Sequence, residues 1–556
     1  MTRESYDYAI AGAGSAGCVL AARLCEEEDA TVCLVEAGGF GKSIWTRMPI
    51  GNGFLFGKKR YDWGLTSMPQ PALMGRTIVL PRGRGVGGSS LINGMIYMRG
   101  CAGDYDRWSA LGLPGWSYAE LLPYFRKSAT AAHRPGSEYH GDGPVQLSPA
   151  GNFDTVNQAF VDAAIQAGNP ANEDFNGASQ LGVGRLDVTV WNGRRQSAAV
   201  AYLKRKPDNL AIKTETHVLG IEFEGRRAVG LRLSSGFVEA KRETILCLGA
   251  FASPQLLMLS GIGPPEHLAD HGIPVTHELP GVGSTLYDHP QLPMKFSLKD
   301  SRLSLARLQR IDRAFIVGLR CLLLSSGPGA APFWSSVAFH ALRNEDLPEL
   351  QIYMTPMCIS DEYGKRNWSF GSILNAGSLF MSRGPTAVPG LHFDVNLQRP
   401  RSHGSVRLAS ADPYDSPCID LNWFTDSDDM AKMVAGMHHV REIVRQPALA
   451  EICGEELQPG SDAQTDAELE RAVRSFVSTG HHPVSTCRMG APDDDLAVVD
   501  DRLRVRGLER LRVVDASVFP DQIGGNTNAA AMMIAERAAD LIRGIPPPPP
   551  ACPEME

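Results

Sequence analysis

The segment that most restricts the fold lies near the N-terminus: Gly12-Ala-Gly-Ser-Ala-Gly17, set between a short apolar run, Tyr6 to Ala11, and a helix-forming stretch that continues to about Glu27. A helix start presents unpaired backbone N–H groups and a partial positive charge. Gly12 permits the tight turn out of a strand, Gly14 lets a pyrophosphate approach the backbone, and Gly17 lets the helix lie close on the sheet. Ser15 and Ala16 belong to the same ligand-facing turn. Thr31-Val-Cys-Leu-Val-Glu36 reads as the next strand, and Glu36 ends it 19 residues after Gly17, followed by Ala37. A carboxylate at that spacing suits a ribose diol and repels a 2′-phosphate. Strand, glycine turn, helix, strand and terminal acid form one βαβ unit, which marks dinucleotide binding. The unit alone does not separate FAD from NAD.

Two distant stretches, Glu243 to Gly249 and Leu511 to Asp515, also read as central strands. The region between them, from about 290 to 480, has another character. Strand candidates such as Leu391 to Leu397 alternate there with helices such as Asp428 to Val444. The expectation is an α/β fold (α+β overall): a Rossmann-type dinucleotide domain with an inserted substrate-binding domain built on an antiparallel sheet with helices. Residues 1–155, 205–295 and 481–545 are assigned to the first domain and 156–204 and 296–480 to the second. Residues 546–556 form a tail in which Pro546 to Pro550 end the last helix. Residues 40–100, rich in glycine and arginine, read as functional loops.

Net charge is −8, which argues against a nucleic-acid partner. Eleven cysteines show no CxxC pair and no metal-like spacing, so reduced thiols, no metal and a cytoplasmic location are expected. No charged stretch followed by an apolar core precedes the first strand, so no signal peptide is expected. The longest apolar run, Ala314 to Leu324, is interrupted by Arg320 and follows Arg302, Arg307, Arg310 and Arg313 at helix-like spacing. Its first reading is an amphipathic helix over the substrate cavity. Weak, peripheral association with the inner face of a membrane is the alternative.

The segment from Gly83 to Gly100, Gly-Arg-Gly-Val-Gly-Gly-Ser-Ser-Leu-Ile-Asn-Gly-Met-Ile-Tyr-Met-Arg-Gly, brings backbone close to a flat ligand. Asn93 and the amides of Gly94 and Met95 are placed to hydrogen-bond a ring edge. This segment resembles the first signature of the glucose–methanol–choline (GMC) oxidoreductases, and Gly249-Ala-Phe-Ala-Ser-Pro-Gln-Leu-Leu-Met-Leu-Ser-Gly-Ile-Gly263 resembles the second. The resemblance runs from Tyr6 to about Ile542 and is nearest to bacterial choline-dehydrogenase-like alcohol dehydrogenases. It implies FAD, a small alcohol substrate, and an electron acceptor that is oxygen, a quinone or another carrier.

The same resemblance supplies site residues. Gly480-His-His-Pro-Val-Ser-Thr-Cys-Arg-Met-Gly490 matches the family's active-site histidine context, with His482 in the catalytic place. Ser485 stands where relatives often carry glycine. In Asp515-Ala-Ser-Val-Phe-Pro-Asp-Gln-Ile-Gly-Gly-Asn-Thr-Asn528, Asn526 matches the His or Asn that faces that histidine, and a helix follows whose N-terminus favours negative charge on a reduced flavin. His482 and Asn526 are expected to be both catalytic and substrate-binding; a simple Asn helix cap is the plainer reading of the Asn pair. Arg84, Val86, Gly87, Gly88, Ser89, Trp63, Val218, Asp515, Ala516, Thr527 and Asn528 complete the expected cofactor set. Some relatives carry a histidine just before the position of Asn93 that bonds covalently to FAD; this chain has Ile92 there, so non-covalent FAD is expected. His403 replaces a common arginine and reads as a turn residue. The expected reaction is hydride transfer from an alcohol to the flavin with His482 as base; a GMC-like lyase chemistry is the alternative.

Overall fold

The structure, a computed structural model, describes residues 3–343, 347–359, 387–551 and 553. Among them two seven-stranded sheets organise the chain. In the first, Arg3–Ala11 lies between Val32–Val35 and Gly236–Leu246, parallel to both, and Leu210–Lys213 extends the parallel set beyond Val32–Val35. The long strand Gly236–Leu246 changes partner along its length. Its first residues run antiparallel to Arg227–Leu233, which pairs in turn with Val218–Glu224; its last, Thr244 to Leu246, run parallel to Leu511–Val513. All four residues of Val32–Val35 are buried, as parallel strands covered on both faces require. Helix Ser15–Leu24 packs with the C-terminal helix Asn528–Arg543, which is buried without a break from Ala529 to Asp540. That helix ends on Gly544 in the left-handed region (φ +68°), so the glycine, not the proline run expected to do so, stops it.

The second sheet is antiparallel throughout, in the order Cys453–Gln458, Pro290–Leu298, Leu391–Leu397, Leu350–Thr355, Ser336–His340, Gly182–Arg185, with Ser478–Thr479 pairing the start of Pro290–Leu298. Pro290–Leu298 belongs wholly to this sheet and runs through the 295/296 boundary read from the sequence. Strand side chains alternate between faces. Leu350, Ile352, Phe393, Val395, Leu292 and Met294 pack with Phe160 of helix Thr155–Gln166 and Met433 and Met437 of helix Ser427–Arg445. The alternate positions, Gln291, Tyr353, His392, Asp394 and Asn396, therefore form a polar second face, and all but the half-buried Gln291 are buried. A buried polar face needs partners, and those it finds build one wall of the site below.

Candidate active site

The glycine turn is held by contacts that no side chain could replace. A Cβ on Gly12 (φ +96°) would stand 2.5 Å from the Cys247 carbonyl oxygen, and one on Gly17 would stand 1.9 Å from that of Gly12. The loop from Gly83 rests directly on the turn: a Cβ on Gly88 would lie 2.6 Å from Gly14 Cα, and the Gly87 N–H donates to the Ala13 carbonyl at 2.7 Å. Gly14 meets no backbone nearer than 3.8 Å from its Cβ position, which leaves room for a ligand there. Glu36 is buried and accepts N–H groups from Ala13 (3.1 Å), Gly38 (2.8 Å) and Gly85 (3.0 Å), although burial pushes its carboxyl upward. One carboxylate thus ties the turn, the second strand end and the Gly83 loop together. Val86 donates to the Gly39 carbonyl (3.0 Å), and Ser89 Oγ accepts the Gly83 N–H (3.1 Å).

Arg84 donates to the Ala37 carbonyl (3.3 Å) and lies over the Trp63 ring (5.1 Å); that ring meets His217 edge-on at 5.8 Å, beside Val218. Ala37, Arg84, Trp63 and Val218 are therefore one group at the Glu36 end. Trp63, expected near the flavin, connects toward His481 by way of Arg82: its backbone N–H donates to the Arg82 carbonyl (2.9 Å), and Arg82 donates to the His481 carbonyl (3.0 Å). Asp515 joins the two family motifs, accepting from the Gly249 N–H (2.8 Å), Ser253 Oγ (2.6 Å) and the Ser517 N–H (2.8 Å). The Ala516 carbonyl accepts the Ser485 N–H (3.3 Å).

Two helix N-termini meet in this cleft, and neither has a side-chain cap: Gly14 precedes helix Ser15–Leu24 and Thr527 precedes helix Asn528–Arg543. Ser15 Oγ donates to Asn528 Oδ1 at 2.7 Å and holds the two starts side by side. Asn528 is thus spent across the cleft and does not cap its own helix. Behind Asn93 lies Arg195, a buried guanidinium that the sequence motifs leave out. One of its nitrogens donates to the carbonyls of Ser90 and Asn93 and to Asn93 Oδ1, while Nε and Nη2 have no partner among the described residues. Burial draws its pKa down to about 9. Asn93 Oδ1 also accepts the Met95 N–H (3.1 Å), and Gly94 faces Trp334, whose ring would stand 3.2 Å from a Cβ. Uncapped amides, an open glycine face and a buried cation without a counter-ion among the described residues fit a dinucleotide whose ring gains negative charge on reduction. Ile92, buried with Leu55 and Leu91, offers no nucleophilic atom.

The catalytic candidates are brought together as the motifs implied, and two further residues join them. Asn526 Nδ2 lies 2.9 Å from His482 Nε2. His482 Nδ1 lies 2.9 Å from Nδ1 of His289, and His289 Nε2 lies 3.0 Å from the Ile523 carbonyl oxygen. A carbonyl oxygen only accepts, so His289 carries its proton on Nε2 and its Nδ1 is bare. His482 must then donate from Nδ1, which leaves a lone pair on Nε2 that accepts from Asn526. Asn526 Oδ1 in turn accepts the Tyr353 hydroxyl at 2.8 Å. Each link of the chain Tyr353–Asn526–His482–His289–Ile523 then pairs one donor with one acceptor. Asp288 Oδ1 accepts the backbone N–H groups of both His289 (2.9 Å) and His482 (2.8 Å), and Thr479 Oγ1 donates to its other oxygen (2.5 Å). Gln522 fixes the His482 carbonyl (2.9 Å).

Burial governs the charges here. It holds His482 well below the ordinary imidazole value, helped by repulsion from Arg82 and from His289 and His481 whenever they carry a proton, and it draws His289 to about 4 and His481 to about 3. It also lifts Asp288 to about 6, against the opposing pull of Thr479 and Arg82. All three imidazoles are neutral at pH 7. His289 and Tyr353 carry no motif: the only signal for His289 is the Asp288-His289-Pro290 run, and Tyr353 is one alternate position among many in its strand. Ser485 sits at φ +75°, the region that favours glycine, with its hydroxyl buried and without a partner among the described residues. His403 is exposed, with its ring 5.6 Å from that of Tyr287.

Comparisons with known proteins agree on one family. Two family models described as GMC oxidoreductase match residues 6–291 and 400–535. Oxygen-dependent choline dehydrogenase 1 of Chromohalobacter salexigens is 41% identical, covering 99% of this chain and 96% of the relative; an oxygen-dependent choline dehydrogenase of Stenotrophomonas maltophilia is 40% identical over 98% and 96%. Among solved structures, pyridoxine 4-oxidase from Mesorbium loti superposes with TM-score 0.81 at 30% identity over 96% of this chain and 98% of that one. A variant formate oxidase of Aspergillus oryzae, studied for FAD modification, gives 0.86 at 27% over 98% and 99%. The chain belongs to the GMC oxidoreductase family.

Proposed function

We propose that His482 is the base, and Asn526 the oxygen-holding partner, in the FAD-dependent alcohol oxidation that this family member performs. The observation that carries the assignment is the bare Nε2 of His482, left unprotonated by a hydrogen-bond chain that ends on the Ile523 carbonyl. A substrate hydroxyl that displaces the direct Asn526–His482 contact would give its proton to Nε2 and accept a hydrogen bond from Asn526 Nδ2. A neutral imidazole is required for that step, and burial supplies it. Tyr353 holds the Asn526 amide so that its NH₂ points at the reacting oxygen. Positioning of this kind contributes as much as acid–base strength, because donor carbon and acceptor must be near contact distance.

Bound FAD supplies the hydride acceptor. The turn Gly12–Gly17, Glu36, Ala37, Trp63, Arg84, Val86 to Ser89, Asn93 to Met95, Val218, Asp515, Ala516 and Asn526 to Asn528 would hold it. Ile92 makes that attachment non-covalent, so acid-denatured protein should release free flavin. The polar face of the second sheet, with Trp334, forms the substrate side of the cleft, in a two-domain partition. The substrate is an alcohol. Choline, named for the relatives, is the first candidate, and oxygen, named with it, the first acceptor. The test is anaerobic addition of an alcohol panel that includes choline to the holoenzyme. Flavin absorbance at about 450 nm should bleach, and His482→Ala should slow bleaching by about 10²-fold or more with FAD still bound. Undiminished bleaching in that variant would remove His482 from the base role. No bleaching by any alcohol would favour the lyase-type chemistry.

A further inference from the structure

One face of the molecule is apolar, basic and exposed, and the reaction makes no use of it. Helix Ile311–Leu324 exposes Phe315 (70%), Ile316 (55%), Leu319 (44%), Leu322 (47%) and Leu323 (73%). These positions recur at i, i+1, i+4, i+7 and i+8 and make a single stripe. Cys321, on the opposite side of the helix, is buried against Met48 and Ala330, so the protein holds the helix by its other face. Nothing among the described residues covers the stripe. Arg313 and Arg320, seven residues apart, run along its border, both exposed. The neighbouring segment that anchors the helix adds exposed Ile44 (41%) and Trp45 (38%), whose ring stacks on Phe54 at 4.4 Å.

Charge singles out what this face fits. Between residues 40 and 60 the chain has five lysines and arginines and no acid; between 302 and 324 it has five arginines and one aspartate, Asp312. Arg302 and Arg310 pair with Asp300 and Asp312, while Lys42, Arg47, Lys59 and Arg60 are exposed on the adjoining segment. The protein as a whole has a net charge of −8. Basic charge at the border of an apolar stripe, and on the segment packed against the same helix, on an acidic protein is complementary to a surface that is apolar beneath and anionic above. No helix among the described residues is long and apolar enough to cross a membrane.

We propose that this face docks the protein on an anionic lipid bilayer, with helix Ile311–Leu324 lying in the plane of the interface. The apolar stripe enters the headgroup boundary, and the flanking arginines and lysines meet lipid phosphates. The inference is independent of the catalytic assignment.

The test is co-sedimentation of the full-length holoenzyme with vesicles. Vesicles of equal parts phosphatidylglycerol and phosphatidylcholine should carry the enzyme down, pure phosphatidylcholine should not, and raising salt to about 0.5 M should release it. Arg313→Glu with Arg320→Glu should lower partition about 30-fold or more, since each basic residue at such a surface counts for roughly 1 kcal/mol. Phe315→Ser with Leu323→Ser should lower it by about 10-fold or more. Both double variants should keep wild-type flavin content and alcohol turnover, which shows them folded. The proposal fails if the wild type stays in the supernatant with anionic vesicles, if neutral vesicles bind it equally, or if the variants partition as the wild type does. It fails also if the wild type is an oligomer that Phe315→Ser with Leu323→Ser dissociates without any vesicle binding, which would make this face a contact between copies of the chain.

Discussion

The two sheets meet the cleft between them with different parts of the chain. The first presents main chain: glycine turns, a loop stacked backbone on backbone, and two uncapped helix starts. The second presents side chains: the polar alternate face of Gln291, Tyr353, Asp394 and their neighbours, together with Trp334. A surface made of backbone tolerates almost no substitution, because a Cβ has nowhere to go. A surface made of side chains can change its chemistry one residue at a time while the sheet beneath stays paired.

That contrast sets the order of expected effects. Gly17→Val should be the most damaging, since its Cβ would meet the Gly12 carbonyl oxygen at 1.9 Å; the purified variant should be colourless or insoluble, as read by the ratio of absorbance at about 450 and 280 nm. Retained flavin in a soluble Gly17→Val protein would break the comparison. His482→Ala comes next, at about 10²-fold or more in kcat with flavin retained. His289→Ala should cost roughly 10-fold in kcat/KM, because His482 Nδ1 loses the acceptor that fixes its tautomer. Tyr353→Phe should cost about 5-fold, the worth of one net hydrogen bond of about 1 kcal/mol, again with flavin retained.

The smallest effect is a pH dependence of stability. His289, drawn to about 4, takes up its proton in the unfolded chain first, so its contribution to stability is present above about 6.5 and is lost as pH falls toward 4. Asp288, lifted to about 6, works in the opposite sense: the folded form binds its proton first and gains stability as pH falls through 6. Asp288→Asn removes only the second. Its Tm should therefore drop more steeply than the wild type's between pH 7 and pH 5, by a few degrees. Parallel Tm curves would remove Asp288 from the set of groups that titrate in this range.

The contrast also explains which parts were legible in the sequence. Gly12, Gly17, Gly83 and Gly88 are restricted to glycine by backbone contact, so they form a readable pattern, and the strands around them lie within a few residues of the sequence reading. Leu391–Leu397 was read correctly because its apolar alternation is complete. Tyr353 was not legible: its strand Leu350–Thr355 is buried on both faces, and nothing in a period of two separates the residue that reaches Asn526 from its neighbours. Arg195 and His289 act on the site from elements far away in sequence, and only the folded chain brings them to Asn93 and His482. Helix Ile311–Leu324 gave its amphipathic pattern but not its orientation. Arg302 and Arg307 fall in short 3₁₀ turns and Arg310 at the junction with the helix, and the apolar stripe faces outward, not into a cavity.

The Ile523 carbonyl has a consequence of its own. It selects which nitrogen of two successive imidazole rings stays bare, and it is an atom of the main chain, present whatever residue occupies position 523. Evolution can exchange either imidazole, the asparagine or the tyrosine, but it cannot delete the oxygen that orders them except by moving the peptide itself. The proton inventory of the reaction centre is therefore inherited with the path of the backbone through Gln522 to Gly524, and only secondarily with the identity of the side chains around it.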